Sequence, residues 1–355
     1  MNYRKATVYT ETDASTAKTE SIDLDLVDII SRLQVRFNIT NASTSITDHP
    51  AKIASKVEIV DGSDVLWSLN GEEMEAMDYY DTWKSRSYEL DYMGFWPCQL
   101  ILNINFGRWL YDDMLAFDCS RFRNPQLKIT HNKALGGSNP GSMNLQVLAD
   151  VFDEKRVSPQ GFLTSREFFS YTPVASSYKT IDMPTDYILR KMLIQSKYST
   201  NSFTDNIDEI RLDENNLKKI PLDLNMFHYL GSIESTYPMY TEEVHFSGAE
   251  FGGYLYVTPC EYPGVALGQH GTPTAYITAN QGGGKLTVTG AGSSEFRALV
   301  TGWLPHGCVP VEFGDCNDPA DWYDIRAIKD LNLRLHHASG IGGTVKIITQ
   351  QLRRY

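Results

Sequence analysis

The sequence predicts an all-β protein of two tandem β-sandwiches built on one duplicated plan, with short helices inserted. Two internal echoes and one pattern carry that prediction. Residues 22–37, IDLDLVDIISRLQVRF, lie over residues 181–196, IDMPTDYILRKMLIQS, without a gap at an offset of 159. LKITHNKALGG at 127–137 lies over LRLHHASGIGG at 333–343 at an offset of 206, and each copy is followed by a further β-rich run, LQVLADVF or VKIITQQL. Opening and closing segments therefore recur in the same order, and a unit of roughly 160–200 residues is a whole domain rather than a solenoid repeat. The pattern is a succession of short apolar-alternating runs separated by Gly, Asn, Pro and Ser, with no alternating βα units, which describes sandwiches or barrels.

Residues 1–20 are rich in Thr, Ser, Ala and charge without an apolar period, so they are expected to form an extended or mobile N-terminal arm. The first sandwich is placed at 21–160. It opens with IISRLQVRFNI, where Leu33, Val35 and Phe37 alternate with Arg32, Gln34 and Arg36, the period of a half-buried strand. KVEIVDGSDVLWSL at 56–69 carries Asp61-Gly62, a strong hairpin signal. GEEMEAMDYYDTWKS at 71–85 shifts to helical spacing, and QLILNINF, a helix-like or turn segment around GRWLYDDML, QLKITHN and NLQVLADVF complete the copy. Residues 161–180 are expected to be a linker or crossing strand. The second sandwich is placed at 181–355, with a hairpin segment at 207–222, a short helix at 224–233 and a long loop at 263–294. That loop is dense in Gly and Thr and contains the alternating runs AYITA and KLTVT around Asn280-Gln281-Gly282-Gly283, so it reads as a projecting β-hairpin.

A length of 355 residues favours two domains, and 42% hydrophobic with 21% charged residues describes a globular rather than a disordered chain. The net charge of −12 opposes a surface made to neutralise phosphates, so no sequence-specific nucleic-acid partner is expected. The first twenty residues lack the apolar core of a secretory signal, and no run reaches the 18 apolar residues of a membrane-spanning helix. Cys98, Cys119, Cys260, Cys308 and Cys316 are too scattered for a disulfide framework and read as reduced thiols of a protein made in a cytoplasm.

Chemistry-bearing motifs are sought and largely not found. The run Gly282–Lys285 has Ala279 and Leu286 where a phosphate loop needs Gly and Ser or Thr, and no GxGxxG, GxSxG or HExxH is present. His336 and His337 point to opposite faces of any strand and cannot easily share a metal, so with His131 they read as structural. Asp315, Asp318 and Asp321 recur every three residues and are candidate oxygen ligands for calcium; their spacing misses the EF-hand loop, and a solvated turn is the competing reading. Glu72-Glu73 and Glu242-Glu243 are adjacent acids of the kind a glycosidase pairs, but among 44 acidic residues a solvated face explains them. The aromatic set Tyr229, Tyr237, Tyr240, Phe251, Tyr254 and Tyr256 suits a sugar site or, more simply, strand packing. No cofactor and no enzymatic activity are expected.

Taken together, the duplicated opening strands, the segment IASKVEIVDGSDVLWSLNG, and GWLPHG followed by DWYDIRAIKDLNLRLHH make residues 20–355 resemble the double jelly-roll major capsid proteins of tailless icosahedral viruses, many of them membrane-containing. The resemblance implies two eight-stranded jelly rolls and homotrimeric, pseudo-hexagonal capsomers in the virion. It also implies contacts with neighbouring capsomers, with penton or minor capsid proteins, and with an inner lipid membrane where one is present. On that view Arg4, Lys5, Arg353 and Arg354, the basic spots at the two ends of an acidic chain, are expected to face the particle interior. Other readings are a phage spike or carbohydrate-binding protein, and a peptide N-glycosidase-like enzyme using carboxylates in a cleft between its two domains.

Overall fold

Strand-forming alternation governs the first third of the chain. In the computed structural model, which describes residues 1–43, 45–198, 201–247, 253–269, 274–280, 282–291 and 295–355, the first nine strands are β1 (Tyr3–Asp13), β2 (Lys18–Asp23), β3 (Ile30–Asn41), β4 (Ala54–Asp61), β5 (Asp64–Leu69), β6 (Leu90–Asp91), β7 (Pro97–Asn105), β8 (Pro125–His131) and β9 (Pro140–Phe152). Helix α1 (Gly71–Thr82) stands between β5 and β6. One sheet runs β1-β9-β3-β7, and facing it is the order β2-β8-β4-β5. Leu33, Val35, Phe37 and Ile39 of β3 point inward with Leu127 and Ile129 of β8. The β4–β5 hairpin turns at Gly62, whose φ of +63° is a conformation glycine adopts without a Cβ penalty.

The second copy repeats the order strand for strand. Its elements are β10 (Gly161–Tyr171), β11 (Tyr178–Asp182), β12 (Ile188–Lys197), the short helix α2 (Phe203–Asn206), β13 (Ile207–Glu214), β14 (Lys219–Asn225) and helix α3 (Met226–Thr236). After an insertion come β21 (Cys308–Glu312), β22 (Leu331–His337) and β23 (Thr344–Arg354). The orders are β10-β23-β12-β21 and β11-β22-β13-β14, the first copy's orders with each strand replaced by its counterpart. The two sequence echoes meet across each sheet: Ile22 pairs with Leu127, and Ile181 with Leu333. His131 and His337 occupy the same inward position of β8 and β22, and both are buried. A parallel bridge, Arg166 to Ser68, joins β10 to β5 and makes one eight-stranded sheet across both copies. Side chains of both copies belong to one contiguous apolar core.

The insertion between α3 and β21 is a third small β unit, here called the tower. Its strands are β15 (Tyr240–Ser247), β16 (Tyr254–Tyr256), β17 (Pro259–Gln269), β18 (Thr274–Asn280), β19 (Lys285–Ala291) and β20 (Glu295–Pro305). They form a sheet β17-β20-β15-β6 and a sheet β16-β19-β18. Between them lies a separate core of Val244, Phe246, Leu255, Leu286, Val288 and Phe296, to which the first copy contributes Leu90 and Tyr92. The tower stands at the end of the sandwich where β3 finishes: Asn41 there donates to the carbonyls of Asp91 and Met93 at 3.0 and 3.1 Å. Both chain ends lie at the other end, where Tyr3 pairs with Phe152 and Gly161 with Arg354.

Three expectations are corrected. Residues 1–20 are not a free arm: β1 pairs with β9 and β2 with β8, and the polar composition reflects an edge strand with one face toward solvent. Residues 161–180 are not a linker, because β10 is the second copy's equivalent of β1. The segment 263–294 is not a loop. Its AYITA and KLTVT runs do pair as a hairpin, β18 with β19, but Leu286 and Val288 are core residues of the tower; Gln281 lies outside the described residues. The stretch around GRWLYDDML, read as helix-like or a turn, forms turns.

Candidate functional site

Helix α1 is where the two sandwiches lock. Its start is fixed by a capping box: Asn70 accepts from the Glu73 amide at 3.0 Å, and the Glu73 carboxylate accepts from the Asn70 amide at 3.0 Å. Gly71 is required there, since a Cβ would fall 2.1 Å from the Ala51 carbonyl oxygen. From this start the helix presents five acids, and all five are engaged. Glu72 pairs with Lys197 at 2.7 Å and Glu73 with Lys346 at 2.6 Å. Glu75 holds Arg86 and lies 2.8 Å from His306 Nε2. Asp78 accepts from Asn103 and Asn105 at 2.9 and 2.7 Å. Asp81 takes Arg190 at 2.5 Å, Lys191 at 3.0 Å and Gln350 at 2.9 Å.

Lys191, Lys197, Arg190, Lys346 and Gln350 belong to β12 and β23 of the second copy, so the helix of one sandwich closes the outer face of the other. That explains why β12 is buried on both faces rather than alternating. Arg190 is among the largest fully buried side chains, and Lys191 is wholly buried; buried charges of this kind persist only when paired. Burial alone would push the Asp81 and Glu72 carboxyls up, but the cations beside them outweigh it and hold both below the usual range, Glu72 at about 2. The adjacent acids Glu72-Glu73 are therefore an inter-sandwich clamp and not a solvated face. Glu242 is likewise buried, accepting from the Thr258 amide and hydroxyl at 2.7 Å each, while Glu243 is exposed.

Beside α1 lies a cleft of about 590 Å³, lined by Arg32 of β3, Ser85 and Arg86, Tyr88, Trp109 and the flank of the helix. Its three helix carboxylates, Glu75, Asp78 and Asp81, are all taken by the partners above, which leaves no unengaged acid and base facing one another. Burial pushes Asp78 upward against its two amide donors.

The remaining expected site residues fall as follows. Asp315, Asp318 and Asp321 spend their carboxylates on the turn they form: Asp315 accepts from the Asn317 amide, Asp318 from Ala320 and Asp321 from Asp315. The first two are Asx-turn bonds, and the third closes the loop across six residues. At the chain ends Arg4 pairs with Asp28, Lys5 with Asp150 at 3.1 Å and Arg353 with Asp64, whereas Arg354 is exposed and has no carboxylate in ion-pair range among the described residues. His337 bonds Tyr171 at 2.9 Å and His336 bonds Asp208 at 2.5 Å on the opposite face. In the aromatic set, Tyr237 and Tyr240 pack on Tyr79 and Tyr80 of α1, and Tyr254 stacks under Lys285 at 3.5 Å; Phe251 lies outside the described residues.

Among the described residues two groups bring three metal-ligating side chains within 4.8 Å of one another, His49 with Glu75 and His306, and Glu89 with Asp91 and His245. The first is already satisfied in part by Arg86 on Glu75 and by the Ala51 amide, which donates to His49 Nδ1 at 3.2 Å. Sequence reading finds neither, because each joins residues more than 150 positions apart.

No protein-family model matches the chain, and no curated protein matches it by sequence. Among solved structures it is similar over 99% of its length to the STIV major capsid protein, covering 98% of that chain with a TM-score of 0.63 at 10% identity. It is similar over the same share to the major capsid protein P2 of bacteriophage PM2, covering 98% of it with a TM-score of 0.57 at 10% identity. The PBCV-1 VP54 structure matches over 94% of its length with a TM-score of 0.59 at 9% identity. Similarity at this identity speaks to architecture, and the architecture is the all-β double jelly roll with short inserted helices.

Proposed function

We propose that this chain is the major capsid protein of an icosahedral virus, assembling as a homotrimer whose six jelly rolls give a pseudo-hexagonal capsomer. The observation that carries this reading is the full-length double jelly roll, two copies with the same strand order locked rigidly through α1. Three such two-fold repeats around one axis approximate six-fold symmetry, an outline that tiles an icosahedral shell. In this reading the tower projects outward and the end with both chain termini faces the particle interior. Three of the four basic residues at that end are neutralised by aspartates, so Arg354 alone is left to meet an inner lipid layer, and the acidic chain disfavours sequence-specific nucleic-acid binding. Neighbouring capsomers and penton or minor capsid proteins are the partners. An enzymatic reading is disfavoured by the engaged carboxylates of the cleft, and no residue arrangement favours a spike or carbohydrate-binding role. Size-exclusion chromatography with light scattering tests the proposal: three chains of 40.1 kDa give a particle of about 120 kDa that persists on dilution, and a monomer at all concentrations contradicts it.

A further inference from the structure

We propose that Glu89, Asp91, His245 and Glu295 form a binding site for a divalent transition-metal cation of the Zn²⁺ class at the foot of the tower. The register creates the site. β6 pairs in parallel with β15, setting Asp91 beside His245, and β15 pairs with β20, setting Arg297 beside His245 and Glu295 two residues away. Glu89, just before β6, brings a carboxylate oxygen within 4.8 Å of ligand atoms of Asp91 and His245.

Two features point to a ligand rather than to an acidic surface. His245 is fully buried, its Nδ1 lies 3.0 Å from Asp91 Oδ2, and its Nε2 has no hydrogen-bond partner among the described residues. Glu89 Oε1 is buried and makes no hydrogen bond, with only the Arg297 guanidinium beside it at 3.5 Å. With the Nδ1 proton donated to Asp91, Nε2 presents a lone pair, and the Glu295 carboxylate faces it at 2.6 Å without hydrogen-bond alignment. Two electron-rich atoms that close repel unless a proton or a metal cation joins them, and a buried polar group left without a partner is destabilising. The Asp91–His245 contact is the arrangement in which a carboxylate orients a metal-bound imidazole. Asp91 is itself held, since its other oxygen accepts from the Met93 amide at 2.7 Å, and Trp96 covers the imidazole edge-on at 5.5 Å.

The charge balance agrees. Three carboxylates face one cation, Arg297, which is 3.5 Å from Glu89 and largely exposed, so net negative charge remains for a dication. One imidazole nitrogen with carboxylate oxygens suits zinc, whereas calcium takes oxygen alone. Nε2, Glu295 and Glu89 supply the ligands and Asp91 positions the ring. A tetrahedral zinc holds N and O about 3.3 Å apart, so the half-exposed Glu295, now at 2.6 Å from Nε2, swings outward by about 0.7 Å on binding. The ion would tie the α1–β7 connection of the first jelly roll to the tower strands of the second. This inference is independent of the capsid reading.

Chelator-treated protein titrated with ZnCl₂ in a calorimeter, with bound metal counted by elemental analysis, tests it. The expected result is one zinc per chain, a thermal transition raised by several degrees, and no comparable binding of Ca²⁺ or Mg²⁺. The double substitution Glu89→Gln, Glu295→Gln, at positions that are not fully buried, is expected to weaken zinc binding more than tenfold with an unchanged circular-dichroism spectrum, and Asp91→Asn to weaken it 10–100-fold. Absence of stoichiometric zinc in the unmodified protein, or undiminished binding by the double variant, overturns the proposal.

Discussion

At the scale of single residues the protein depends on charges taken out of water and paired. Glu72 shows how pH acts on such a group. Its folded-state value of about 2 lies below its ordinary 4.5, so the carboxylate's contribution is fully present above about pH 4.5 and is lost as pH falls toward 2. By linkage that contribution is on the order of 3 kcal/mol. Glu72→Gln is therefore expected to lower stability at pH 7 by about that amount and to flatten the loss of stability between pH 5 and 2, as read from denaturant unfolding across that range. Asp81→Ala leaves Arg190 without its carboxylate and Lys191 with only Glu312 at 3.8 Å, and a cost of about 3–5 kcal/mol in the same measurement is expected. An unchanged midpoint would mean that these ions are hydrated in solution. Neither residue is distinguishable in sequence from a solvated acid. GEEMEAMDYYD gives helical spacing but does not show that Glu72, Glu73 and Asp81 will meet cations, because those cations lie on β12 and β23, more than 100 positions away.

At the scale of elements, legibility follows how local the determining contacts are. The echoes recover β2, β3, β8 and β9 with their counterparts, since an alternating pattern such as LQVRF imposes its own strand, and Asp61-Gly62 marks its turn. β1 escapes notice because it is an edge strand whose YTETD stretch faces solvent, so its order comes from β9 and not from its own apolar content. The tower's hairpin β18–β19 is legible, but the tower as a separate unit escapes because its core needs Leu90 and Tyr92 from a segment about 150 residues earlier. That separate core predicts separable stability. Leu286→Asp places a charge at a position 1% exposed and should open the tower while leaving the jelly rolls folded. Limited proteolysis is expected to cut within 240–305 and leave the remainder resistant; uniform digestion of the chain would show one cooperative unit.

At the scale of the whole molecule, duplication sets the outline. Two jelly rolls share an eight-stranded sheet and a contiguous core, and the helix of one lies on the sheet of the other, so the pair behaves as a single rigid block. Apolar side chains remain outside that block: Phe95 is 82% exposed, and Trp83, Trp96 and Trp109 are each about half exposed. Such exposed apolar side chains are what contacts between subunits would cover. The double sandwich was legible from the ordered echoes, but the contact surfaces were not, since an exposed tryptophan and a buried one read alike in sequence. Imaging the purified oligomer by electron microscopy tests the central claim most directly. Three copies of a two-jelly-roll block should give end-on projections with a near-hexagonal outline, six lobes of similar density and three outward towers; isolated two-lobed particles, or a dimer, would contradict it.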